Sequence, residues 1–299
     1  MKYNNSMIHK KKSPLFLFLT PAFIFMSIFL FYPFLMNIIN SFSVIEGLGQ
    51  APKGLNSPWY LNYTTMMSDK NMQIALKNTM ILMVCTIIFQ VGIALILALL
   101  VDSISKGSQF FRTVYFFPIV ISATALGLLF NLLFLYNGGM VNQLLKNIGL
   151  VDSNIDWKGE AKWLFTMFMP VMWQYVGFYF IIIVTGLNNI STDIYEATEI
   201  DGANAFQRVF YIKLPLVYNV LVTCISLAIT GALKVFDLPW TMMPNGMPVD
   251  KSWLTGTYMY KQTFLAGNVD YGSAIAVIIV ILGVVISQLT NIFLKEKDY

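Results

Sequence analysis

A chain of 299 residues that is 57% hydrophobic and only 11% charged falls outside the range of soluble domains, in which about a quarter of residues are charged. The net charge is +4 with a pI near 8.9, and in so apolar a chain that bias belongs to membrane topology rather than to nucleic acid binding. The two cysteines, Cys85 and Cys224, lie in apolar runs and the single histidine is His9, which excludes a disulfide framework, a metal-ligand spacing and a histidine-based catalytic constellation.

Several apolar runs reach the roughly 20 residues needed to cross a bilayer, so the fold class expected is all-α, a polytopic membrane protein with six transmembrane helices. Residues 1–13 form a polar tail with Lys2, Lys10, Lys11 and Lys12. The first span, residues 14–36, reads as a retained helix, because its apolar run is too long for a signal peptide and lacks a small-residue cleavage site. Residues 37–72 are an external loop rich in Gly, Pro, Asn and aromatics, and residues 74–101 are the second span. A short cytoplasmic turn with Asp102, Lys106 and Arg112 leads through Phe110 and Pro118 into a third span ending near Tyr136. Residues 137–162 are external, and the fourth span covers 163–187. A polar cytoplasmic segment, 188–215, precedes the fifth span at 216–238, which stops before Pro239. Residues 240–270 are external, 271–294 form the sixth span, and 295–299 are a charged tail. Lys2, Lys10, Lys11, Lys12, Lys106, Arg112, Arg208, Lys213, Lys295 and Lys297 then fall on the cytoplasmic side at roughly twice the external basic density, so both termini are expected inside.

Segment 188–215 is the most distinctive stretch. Asp193 to Ile200 reads as a short helix that Ser191, Thr192 or Asp193 can cap, and Gly202 ends it by adopting the left-handed conformation. A second helix begins at Asn204, with Gln207 placed as its capping-box partner, and Pro215 opens the following span. The pattern is a helix–turn–helix bracket outside the bilayer, joined at each end to a spanning helix.

Polar residues inside the spans mark a second region. Thr230, Lys234 and Asp237 share one face of an uninterrupted fifth helix. An ionisable group at a helix centre costs about 2.5–3.5 kcal/mol on insertion scales, which favours an interior cavity or a partner charge. Lys234 can pair with Asp237, line a solute path or snorkel to the interface. Trp173, Gln174, Tyr175 and Tyr179 in the outer half of the fourth helix suit stacking on sugar rings and bonding to their hydroxyls, or an interfacial aromatic belt. Asn131 and Gln90 are single polar residues suited to interhelical hydrogen bonds. There is no Gly-x-x-x-x-Gly-Lys-Ser/Thr loop, Gly-x-Ser-x-Gly elbow or His-Glu-x-x-His site, so no catalytic residue, metal site or nucleotide site is assigned.

The run Glu196-Ala197-Thr198, then Asp201-Gly202, then Ile212-x-Leu214-Pro215 resembles the cytoplasmic signature loop of binding-protein-dependent ABC importer permeases, which usually carry Ala where this chain has Thr198. Phe110-Phe111-Arg112-Thr113 with Pro118, and Trp59-Tyr60-Leu61-Asn62-Tyr63, also resemble that family. Lys234-Val235-Phe236-Asp237 with Gly246-x-Pro248 resembles its sugar-importing branch. The resemblance implies the type I ABC importer permease fold, a multi-pass location in the bacterial plasma membrane, and alternating access driven by ATP. It implies as partners a second homologous permease, two ATPase subunits and an extracytoplasmic sugar-binding protein. ATP and Mg would sit on the ATPases, with no cofactor in this chain and no enzymatic activity of its own. Glu196 and its signature neighbours would contact the ATPase. The region of Gly177 with Tyr175, Tyr179, Thr230, Lys234, Asp237 and Trp240 would line the sugar path. Alternatives are a permease of the same machinery for a peptide or phosphate ester, an ion-coupled secondary carrier, which would need a mid-membrane coupling site, and a non-transporting scaffold.

Overall fold

A computed structural model describes residues 13–104 and 106–294. His9, the lysines of the amino-terminal tail and the tail 295–299 lie outside the described residues. Among the described residues the regular structure is helical, and the one extended pairing is an isolated bridge between Ser43 and Leu55. The chain divides into two compact units, residues 1–66 with 262–277 and residues 67–261 with 278–299. The last helix, Val269–Phe293, begins in the sequence of one and ends in that of the other.

In the first unit, the helix Phe16–Ser41 has an apolar core of which 0% is buried. The loop after it is held by its own polar groups. Asn56 Nδ2 donates to Ser43 O at 3.1 Å, Asn62 Nδ2 donates to Ser41 O at 3.0 Å, and the Ser41 and Tyr63 hydroxyls lie 2.8 Å apart. Phe42 packs against Trp59 and Tyr63 with ring centroids 5.5 and 5.3 Å away. The Trp59–Tyr63 segment therefore closes this loop back onto the end of the first span.

In the second unit, Lys70–Asp102 is one long helical span. Asp69 caps it by accepting from the Asn71 amide at 2.9 Å, and also accepts from the Tyr258 hydroxyl at 2.6 Å. Its middle contains a π-helical turn, Thr86–Val91, the kind of interruption that re-aims side chains and recurs at functional sites. Near its start Asn78 Nδ2 donates to the Lys251 and Trp253 carbonyls at 2.7 and 2.8 Å, pinning the loop that carries the fully buried Trp253.

The third span is not the continuous helix expected. Ser108–Val120 and Ala123–Leu133 meet at 93°. Pro118 cannot donate its own backbone hydrogen bond, Ile121 is extended, and Ser122 caps the second half through Ala125 N at 3.2 Å. Among the described residues Asn131 in that second half does not bond to a neighbouring helix but accepts from Lys158 Nζ of the loop that precedes the fourth span. Burial there holds the Lys158 ammonium below the usual lysine range, with Asp156 opposing the shift.

The fifth span differs from expectation at its far end. The bracket's return arm, Ala205–Leu216, meets Tyr218–Lys234 at 65°, but the helix then ends at Lys234, and a new helix, Asp237–Met242, follows. Val235 is extended, because a helix continued through Pro239 would drive the proline ring into the Val235 carbonyl. Thr230, Lys234 and Asp237 therefore do not share one helical face.

The fourth span, Trp163–Asn188, is the centre of this unit, with 56% of its apolar window buried against 33% for the second span. Gly177 permits its closest approach: a Cβ there would lie 1.8 Å from the Tyr115 carbonyl oxygen on the third span. Tyr115 and Phe180 meet edge to face beside it, 5.2 Å between centroids. Gly177→Ala should thus force the third and fourth spans apart and cost about 1–3 kcal/mol. A thermal unfolding midpoint in detergent that is unchanged by the substitution would contradict this packing.

Candidate functional site

Two regions carry groups that packing alone does not explain. The first is a cavity of about 250 Å³ formed by the second, third, fourth and fifth spans. The π-helical turn of the second span turns Thr86 and Gln90 towards it, and the fourth span contributes Gln174, Tyr175 and Tyr179. Tyr175 and Tyr179 are four residues apart and so share a helical face. The break after Lys234 exposes Lys234, Val235, Phe236 and Asp237 to the same space.

Two glutamines hold this cavity open while satisfying backbone groups that hydrocarbon would penalise. Gln90 Nε2 donates to Val171 O at 3.0 Å, tying the second span to the fourth. Gln174 Nε2 donates to Ile121 O at 3.2 Å, which takes up the carbonyl at the break in the third span. Irregular backbone at membrane depth is tolerated where protein or a cavity satisfies it, and here a cavity-lining amide does so. The wall combines two amides, two phenols, an ammonium, a carboxylate and the Phe236 ring. That set can bond to hydroxyl groups and stack on a flat ring face.

Of the residues expected on the path, Tyr175, Tyr179, Lys234 and Asp237 line this cavity, and three do not. Gly177 faces the Tyr115 backbone and is a packing residue. Thr230 is half-buried and donates to Ser226 O at 2.9 Å, one turn back along its own helix. Trp240 stands one ring behind the wall, stacked on Phe236 at 5.8 Å and edge-on to Tyr260 at 5.0 Å. Lys234 and Asp237 form no ion pair among the described residues, since the helix break separates them and leaves both side chains exposed. Gln90, expected only to join helices, both joins helices and lines the cavity.

The second region is the bracket. Its first helix, Thr192–Ile200, ends at Gly202, whose φ of +70° is the left-handed value that disfavours a side chain. Asn204 and Gln207 form the reciprocal capping box at 2.9 Å in each direction. Arg208 ties the two helices together by donating to Ala203 O and to Glu199 Oε1, each at 2.9 Å. Thr198 is the one buried residue of the first helix and its hydroxyl donates to Tyr195 O at 2.7 Å, so a threonine fits where a small apolar residue would. Glu196, Ala197, Asp201 and Gly202 are exposed, whereas Ile212, Leu214 and Pro215 are half-buried in the return to the membrane.

The bracket also carries large side chains that nothing among the described residues covers. Ile200 is 86% exposed, Tyr211 77% and Phe206 70%, with the Phe206 and Phe210 rings tilted at 35° and their centroids 4.3 Å apart. Bulky exposed side chains grouped on a polar segment mark a protein-binding face. Behind that face, Lys213 Nζ donates to Asp102 Oδ2 at 2.6 Å and lies 5.4 Å from the centre of the Tyr195 ring. Burial, with the Asp102 charge nearby, pushes the Tyr195 phenol above its usual range.

Comparison with known proteins places the chain. The profile of the family described as binding-protein-dependent transport system inner membrane component matches residues 90–295. The chain is 31% identical over 296 residues to a probable ABC transporter permease protein, YurN, of Bacillus subtilis, covering 97% of this chain and 98% of that one. It is 27% identical to the arabinooligosaccharides transport system permease protein AraP of Halalkalibacterium halodurans, covering 93% of this chain and 86% of AraP. Its fold matches a chain of a bacterial ABC transporter involved in the import of the acidic polysaccharide alginate, with a TM-score of 0.82, 21% identity, and coverage of 95% and 96%. The chain belongs to the family of binding-protein-dependent transport system inner membrane components.

Proposed function

We propose that the chain is a permease subunit of an ATP-driven ABC importer that passes a sugar or oligosaccharide across the plasma membrane, with both termini cytoplasmic. The observation that carries this reading is the polar cavity, in which Gln90, Gln174, Tyr175, Tyr179, Lys234 and Asp237 face one space among apolar spans. Hydroxyl-rich rings match its amides, phenols and aromatic wall, and the arabinooligosaccharide relative supports the same class of solute. The solute would arrive from an extracytoplasmic binding protein, as the family description implies. A second permease would complete the passage. Two ATPase subunits, holding ATP and Mg, would dock on the exposed face of the bracket around Glu196, Ile200 and Phe206. ATPase closure would displace the bracket, and the spans joined to it would tip the cavity from one side of the membrane to the other.

Docking can be tested at the bracket. Glu196→Ala, at an exposed position, should leave the protein in the membrane at normal levels yet recover less ATPase on co-purification. Gly202→Val should lose more, because a β-branched residue resists the positive φ found there. Wild-type ATPase recovery with both variants would remove the bracket from the ATPase contact.

The cavity is tested through Asp237. If its carboxylate meets solute hydroxyls, Asp237→Ala should lower uptake per assembled complex at least tenfold, which corresponds to about 1.4 kcal/mol, and Asp237→Asn should be milder. Equal and unimpaired normalised uptake in both variants would take Asp237 out of the path.

A further inference from the structure

Asp102 is the last residue of the second span, and Lys213 ends the short π-helical run that leads from the bracket to the fifth span. Their ion pair is the most sheltered among the described residues, with 12% and 14% of the side-chain surfaces exposed. Each of the others leaves at least one partner more than half exposed. The distinction is physical: an exposed pair separates at little cost because water and salt replace the partner, whereas separating a sheltered pair strands both charges. Tyr195, from the bracket helix, closes the third side. Its ring lies 5.4 Å from Lys213 Nζ, and its hydroxyl is buried without a hydrogen-bond partner among the described residues. The phenol is therefore held by its ring against the ammonium and not by its hydroxyl.

These contacts join the bracket helix to a span with which it has no direct chain connection. From Asp102 an uninterrupted α-helix, Gly92–Asp102, runs back to the π-helical turn that places Gln90 and Thr86 in the cavity wall. At 1.5 Å per residue, Gln90 lies about 18 Å along the axis from Asp102. We propose that Asp102, Lys213 and Tyr195 form a positioning strut that carries displacement of the bracket to the cavity through the second span, besides the routes through the fourth and fifth spans that the chain itself provides. The proposal rests on the ATP-driven importer reading given above. None of the three residues touches the cavity, so they act through Gln90 and Thr86 and not on the solute.

The test reads the cavity wall and needs no knowledge of the solute. Cys85 and Cys224 are replaced by Ala, and Thr86→Cys introduces one thiol in the cavity wall of the complex assembled with its ATPases in membrane vesicles. Labelling by a small water-soluble maleimide is then timed with and without ATP plus vanadate. The parent should change its labelling rate at least fivefold on addition of nucleotide. Lys213→Met should reduce that change to less than twofold while ATPase remains bound. Asp102→Lys combined with Lys213→Asp, which restores an ion pair with reversed sense, should recover most of the response. A purely structural role would lower the amount of complex in the single variant without altering the response of the molecules that assemble. A full nucleotide response in Lys213→Met, or no recovery in the charge-exchanged pair when it assembles normally, overturns the strut. A parent with bound ATPase and no nucleotide response overturns the importer reading, and the strut with it.

Discussion

The fourth span is the member on which the second unit depends, and the closeness of its contact at Gly177 is what makes that possible. With no Cβ at this position, its helix meets the backbone of the third span at Tyr115. In hydrocarbon, helices gain nothing from burying apolar surface against one another, and close packing with polar bonds must hold them instead. Gln174, three residues before Gly177, reaches the carbonyl freed at Ile121. One turn earlier, Val171 accepts from Gln90 of the second span. The same stretch of helix thus provides packing, repairs a broken neighbour and supports a cavity wall.

The consequence is a cavity whose polar groups are held in place by the structure itself. Gln90 and Gln174 each spend their amide N–H on backbone, which fixes their orientation. Lys234 and Asp237 stand on either side of a helix break that keeps them from neutralising each other along one helical face. Unpaired charges at such a place are costly in a lipid-facing position and useful beside a water-filled path. The bracket shows the opposite arrangement. Its internal bonds, through Asn204, Gln207 and Arg208, make it rigid, while its large apolar side chains are left outward. A rigid element with an uncovered face transmits displacement from whatever docks on it.

The bracket was legible in sequence because its signals are local. A glycine at a positive φ, an Asn/Gln capping box and a proline near the start of the next helix each act within a few residues of themselves. The cavity was only half legible. Tyr175 and Tyr179 share a face because the fourth helix is regular, but a continuous fifth helix was the wrong frame for Thr230, Lys234 and Asp237. Pro239 marked the interruption of the fifth span, acting upstream of itself on the residues whose backbone its ring disturbs, whereas the break in the third span falls three residues after Pro118, at Ile121. Gly177 fell on the path by resemblance, whereas its role is set by Tyr115, far away in sequence. The partnership of Asp102 with Lys213 is non-local in the same way, and only two opposite charges at the ends of apolar runs hinted at it.

The proposed solute path runs between the fourth span and the break after Lys234. Tyr175 lines that space and is 36% exposed, so a thiol introduced by Tyr175→Cys reports on it directly. The measurement is the maleimide labelling rate of that thiol in the assembled, ATP-energised transporter, with and without an oligosaccharide that the cells take up. A solute that uses this path should give saturable protection at concentrations that support uptake, and a sugar that is not taken up should give none. Labelling that proceeds at one rate under all three conditions, in a variant that still assembles and hydrolyses ATP, would contradict it.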